Sequence, residues 1–137
     1  MKSIILIILF TGTLPGMMPQ HNPHGPHQGT VKPLGDQYQL EVLGCMDHLE
    51  LYVLDKKLQS TSNFEMNGTV TFYYAGTSEK PKQREITTPL VAYGRDGFSA
   101  KLPEENFSYS IVTITIFDKT LVSPKFPNEC TKISVTK

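Results

Sequence analysis

An all-β sandwich is the fold class this sequence predicts, on three observations. The chain carries 10 Pro and 10 Gly in 137 residues, has no Trp and is sparse in helix-forming runs. Several short segments alternate apolar and polar residues with a period of two, the pattern of half-buried strands. These segments recur over roughly 100 residues with turn signals between them, which gives an immunoglobulin-like sandwich of about seven strands, with a small barrel as the alternative. Hydrophobic residues at 39% and charged residues at 19% supply the apolar surface for one packed core and argue against wholesale disorder.

The first residues read as an address. Lys2 precedes an unbroken apolar run from Ile4 to Phe10, and Thr11-Gly12-Thr13-Leu14-Pro15-Gly16 follows with small and turn-forming residues. A basic end, an apolar centre and a small-residue exit make a secretory signal over 1–16. The run is shorter than the roughly 20 residues a membrane-spanning helix needs. The mature chain is therefore expected to be exported, periplasmic or secreted, with no membrane span.

Residues 17–35 form a His/Pro/Gly-rich arm. Pro19, Pro23, Pro26 and Pro33 alternate with Gly25, Gly29 and Gly35, a density that no helix or central strand tolerates. The arm is expected to be extended and disordered, partly polyproline-like.

The sandwich domain is assigned to 36–137. Tyr38, Leu40 and Val42 alternate with Gln39 and Glu41; Leu49, Leu51 and Val53 alternate with Glu50, Tyr52 and Leu54. Gly44-Cys45-Met46-Asp47 joins the two as a hairpin. Thr69 to Tyr74 is rich in β-branched and aromatic residues and lies between Asn67-Gly68 and Ala75-Gly76. Lys82 to Thr88 is a polar edge strand, and Gly97 to Leu102 stops at Pro103. Tyr109 to Phe117 is the strongest strand, with Asp118-Lys119 as a tight turn and Thr120 to Phe126 as its returning partner.

Charge narrows the function classes. Lys plus Arg and Asp plus Glu both number 13, so the formal net charge is zero. Nucleic-acid binding needs a basic excess gathered on one face, and none is available. There is no glycine-rich phosphate loop, no serine nucleophile elbow and no His-Glu-x-x-His pair, so neither an enzyme nor an organic cofactor is indicated.

The histidines carry the remaining chemistry. His21, His24 and His27 are spaced three and three, and His48 follows at the first hairpin. On a polyproline helix of three residues per turn, the first three imidazoles project from one face, about 9 Å apart. One ion needs each nitrogen at about 2.0–2.1 Å, so convergence requires the arm to fold, which Gly25 permits. Neutral imidazole is a ligand for copper and zinc. The alternative is an inert linker that carries histidine as polar filler.

Cys45 and Cys130 are the two cysteines, and an exported chain permits one pairing. Closing a loop of about 85 residues stabilises the fold by roughly 4–5 kcal/mol in the chain-entropy account. The competing reading is a soft metal ligand in Cys45-Met46-Asp47-His48.

Three stretches resemble a known group. They are His24-Gly25-Pro26-His27-Gln28-Gly29-Thr30-Val31, then Gly35-Asp36-Gln37-Tyr38-Gln39-Leu40-Glu41-Val42, then Leu49-Glu50-Leu51-Tyr52-Val53-Leu54-Asp55. Together with Ala100-Lys101-Leu102-Pro103 they resemble small exported bacterial immunoglobulin-like proteins and modules associated with heavy-metal and copper efflux systems. The pattern departs from theirs at Gln28, where glycine is usual, and at Gln39, where histidine often stands. The resemblance implies metal handling, with a metal-efflux component or another exported protein as partner. The expectation is an exported protein that buffers copper or zinc, or hands it on, through His21, His24, His27 and His48, without catalysis. The rival expectation is an exported interaction module whose edge strand pairs with a partner protein and whose arm is a spacer.

Overall fold

The structure, a computed structural model, describes residues 24–44, 46–79 and 81–129. The expected signal, His21, Cys45 and Cys130 lie outside the described residues. Ten strands form within them: β1 Thr30–Leu34, β2 Tyr38–Gly44, β3 His48–Leu54, β4 Met66–Tyr74, β5 Arg84–Pro89, β6 Val91–Tyr93, β7 Gly97–Lys101, β8 Tyr109–Ile116, β9 Lys119–Val122 and β10 Phe126–Pro127. Among the described residues no helix is long and apolar enough to cross a membrane.

Period-two patterning decides which side of each strand is buried. Leu40 and Val42 on β2, Leu49, Leu51 and Val53 on β3, and Phe98 and Ala100 on β7 turn inward from one sheet. Val70, Phe72 and Tyr74 on β4 and Val112, Ile114 and Ile116 on β8 turn inward from the other. The two inner faces make one core, in which Phe72 and Phe107 meet edge to face with ring centroids 5.0 Å apart.

The first sheet has the order β1-β2-β3-β7-β6, and the second has β10-β8-β4-β5 with β9 also on β8. Every pairing is antiparallel. Read across each sheet, β2-β3-β7-β6 against β5-β4-β8-β9 is the strand arrangement of an immunoglobulin-like sandwich, with β1 added outside β2. The expected hairpin is β2–β3, with Val42 opposite Leu51 and Gly44 opposite Leu49.

Three features differ from the sequence reading. The sheet starts at Thr30, six residues before the boundary expected at 36, because β1 is an edge strand and an edge tolerates Pro33. β6 appears beside β7; three residues are too few to display a period. The single strand expected from Thr120 to Phe126 is split into β9 and β10. Pro124 has no N–H for a ladder, and the hydroxyl of Ser123 takes over as acceptor for the Val112 N–H at 3.0 Å.

The sheet edges are protected unequally. β1 carries Lys32 and Pro33; β5 carries Arg84, Glu85 and Pro89; the β9–β10 edge carries Lys119 and Pro127. β6 is Val-Ala-Tyr, with Val91 60% and Tyr93 50% exposed. Its shortness is its one defence against pairing.

The core assignment predicts that Phe72→Ala destabilises the protein by about 3–5 kcal/mol, read as a lower urea midpoint. Phe117, 69% exposed and in the left-handed region at φ 56°, behaves oppositely. Phe117→Gly leaves stability unchanged or raises it by up to about 1 kcal/mol.

Candidate functional site

The outer face of the first sheet is where His27 and His48 meet the sandwich. With Leu40 and Val42 turned inward, alternation sends Glu41 outward. Glu41 is nevertheless completely buried, with 0% of its surface exposed, because residues 24–29 fold back over it.

Three hydrogen bonds hold that fold-back, and all end on the Glu41 carboxylate. The His27 backbone N–H donates to Oε2 at 2.8 Å, the Gly29 N–H donates to Oε2 at 2.8 Å, and His27 Nδ1 lies 2.8 Å from Oε1. Gly25 passes so close that a Cβ there would collide with the carboxylate, which is why a residue without a side chain stands at this point. Gly25 also accepts the Gln28 N–H at 2.9 Å, closing a turn in which Gln28 takes φ 73°. Left-handed backbone of this kind favours glycine.

Tyr52 supplies the floor. It stands directly opposite Glu41 across the β2–β3 pair and directly opposite Gly97 across β3–β7. A Cβ on Gly97 would lie 2.7 Å from the Tyr52 ring, so the ring occupies the space that glycine leaves open. His27 stacks on the other side of Tyr52, with centroids 3.6 Å apart and planes 7° from parallel. The Tyr52 hydroxyl donates to Glu50 Oε1 at 3.2 Å. Burial first, and then the Glu50 carboxylate, push the Tyr52 phenol up to about 12.

His48 lies further along the same face. Its Nδ1 is 2.9 Å from Asp47 Oδ1, and its Nε2 is 3.6 Å from Glu50 Oε2. The hydrogen bond to Asp47 raises the His48 pKa above its ordinary value against the opposing effect of burial, and the same bond lowers that of Asp47. Glu50 thus touches both Tyr52 and His48, linking the two ends of the face.

The candidate ligands are therefore placed as follows. His27 is clasped through Nδ1, with its side chain 30% exposed. His24 is exposed, its backbone bridged to Thr30. His48 is held between two carboxylates. His21, Cys45 and Cys130 lie outside the described residues. Among the described residues no group of three or more His, Cys, Asp or Glu side chains is gathered as an ion site. Glu41 and Tyr52 are the site residues that sequence reasoning missed. Each sits on the outward side of its alternating strand, and no local signal says that a segment more than ten residues upstream covers them.

No protein-family profile matches the chain, no curated protein matches it in sequence, and no solved structure matches it.

Chemically, an ionised carboxylate only accepts hydrogen bonds, so with Glu41 ionised the hydrogen shared with His27 sits on Nδ1. Neutral imidazole then keeps its lone pair on Nε2, in one tautomer and one orientation.

The raised Tyr52 value sets a test in alkali. Its folded pKa, about 12, exceeds the ordinary 10.0, so the neutral phenol stabilises the fold. That contribution is fully present below pH 10 and is lost as pH rises towards 12. The phenolate absorbance of Tyr52, isolated by comparison with Tyr52→Phe, is expected to appear last among the tyrosines and together with unfolding.

Proposed function

We propose that the protein is exported, binds copper or zinc as cargo, and buffers the ion or hands it to an efflux partner by ligand exchange. The observation that supports this most is the Glu41–His27 pair. Histidines that bind metal characteristically donate their other ring N–H to a carboxylate, which fixes tautomer and orientation and raises ligand basicity. His27 has that arrangement, and its side chain is accessible enough for an ion to come and go. His24, three residues away in the same folded segment, is the nearest further donor in sequence, and His21 stands three residues before it. His48 belongs to the reading as an additional donor further along the face.

A Cys45–Cys130 disulfide is part of the same proposal. Gly44 and Glu129, the residues immediately before the two cysteines, line one small cavity with Thr30 and Phe126, which supports a bridge that ties the first hairpin to the end of the second sheet. Alkylation of denatured, non-reduced protein is expected to find no free thiol, and modification of both cysteines without reductant would refute the bridge.

The second reading is an interaction module, supported by β6, whose exposed Val91 and Tyr93 lie on an edge without charge or proline.

Titration of the purified protein with Cu(II), Cu(I) and Zn(II) against competing chelators tests the proposal. The expected result is sub-micromolar binding that disappears when His21, His24 and His27 are all replaced by Ala. Affinity should fall on mild acidification, because protons compete for imidazole nitrogen. Binding no tighter than that of a generic histidine peptide would turn the assignment to the β6 edge.

A further inference from the structure

The His27 imidazole is presented by a segment that lies over the outer face of the first sheet, where Gly29 also passes close to the Leu43 side chain. Residues 24–29 reach that face through the three hydrogen bonds to Glu41 and through the stacking of His27 on Tyr52. Glu41 and Tyr52 are neighbours across the paired strands β2 and β3, so the anchor lies in the rigid part of the sandwich. The segment itself is a short turn, closed by the Gly25–Gln28 and Gly25–Gly29 backbone bonds.

Docking therefore fixes the two properties that an ion requires of His27. The Glu41 carboxylate holds the hydrogen on Nδ1 and so keeps the lone pair on Nε2. The Tyr52 ring sets the plane of the imidazole. Away from the sheet the imidazole exchanges tautomers and rotamers, and one state in several presents Nε2 correctly.

We infer that Glu41 is a positioning residue for metal capture, and that ion binding at His27 and docking of residues 24–29 are one coupled equilibrium. This rests on reading His27 as a ligand. Coupling is reciprocal: whatever docking adds to affinity, the ion adds to docking. An ion that takes imidazole nitrogen, Zn(II) or Cu(II), would thus close the segment onto the sheet. An ion withdrawn by a partner would release it.

The backbone supplies the reporters, because the His27 and Gly29 N–H groups are themselves bonded to Glu41. Amide hydrogen exchange is measured on the full wild-type protein with and without Zn(II). Zn(II) affinity is measured in parallel for wild type, His27→Ala and Glu41→Gln, with circular dichroism recording whether each variant is folded. The expected result is slower exchange at His27 and Gly29 when Zn(II) is bound. Glu41→Gln should bind about 10- to 100-fold more weakly, the usual effect of altering a carboxylate behind a ligating histidine.

Zn(II) binding that is lost in His27→Ala, but that leaves either the two exchange rates or the Glu41→Gln affinity unchanged, overturns the coupling and leaves the metal-binding reading standing. Wild-type protein that does not bind Zn(II), or that binds it equally well as His27→Ala, removes His27 as a ligand and the inference with it. Where Glu41→Gln does not fold, the wild-type exchange rates decide alone.

Discussion

The burial of one carboxylate on the wrong side of a sheet organises this end of the molecule. A charged group taken out of water is costly unless hydrogen bonds replace its hydration. Glu41 meets that requirement with two backbone N–H groups and an imidazole. All three donors come from the segment before β1, so a satisfied carboxylate requires a docked segment. The glycine at 25, the turn at 28 and the stacking of His27 on Tyr52 follow from that constraint. So does the position of β1, which continues the covering segment into the sheet.

This arrangement separates the histidines into different roles. His27 is tied through one ring nitrogen to a buried group and rests on an aromatic floor. His48, on the same face, is held by the carboxylates of Asp47 and Glu50 and contributes to local charge balance. His24 is exposed beside the bridge to Thr30. Regular spacing in sequence suggests equivalent imidazoles, whereas the fold makes His24 and His27 unequal, because His27 falls opposite a buried acceptor and His24 is exposed.

The strands that face the core on one side were legible in the sequence. On β2, β3, β4 and β8 the apolar side chains recur every second residue, and the β2–β3 and β8–β9 pairs form where the turn signals put them. β1 was concealed by Pro33, whose exclusion from central strands does not extend to an edge. β6 was too short to show a period, and the β9–β10 break depends on a serine hydroxyl standing in for a backbone acceptor. The site was half legible. Histidine type and spacing pointed to the segment around His27, but Glu41 and Tyr52 alternate like solvent-facing residues. Their burial comes from contacts at long separation, which periodicity does not encode.

Gln28 gives the docked segment a character of its own. Its backbone is held in a conformation that costs an L-residue about 1–2 kcal/mol, a penalty that glycine escapes. The clasp is thus a latch under tension, with the recoil supplied by one peptide unit. Glycine at this place would make a slacker spring and a latch that stays shut. Glutamine makes one that favours opening whenever its hold on the sheet weakens.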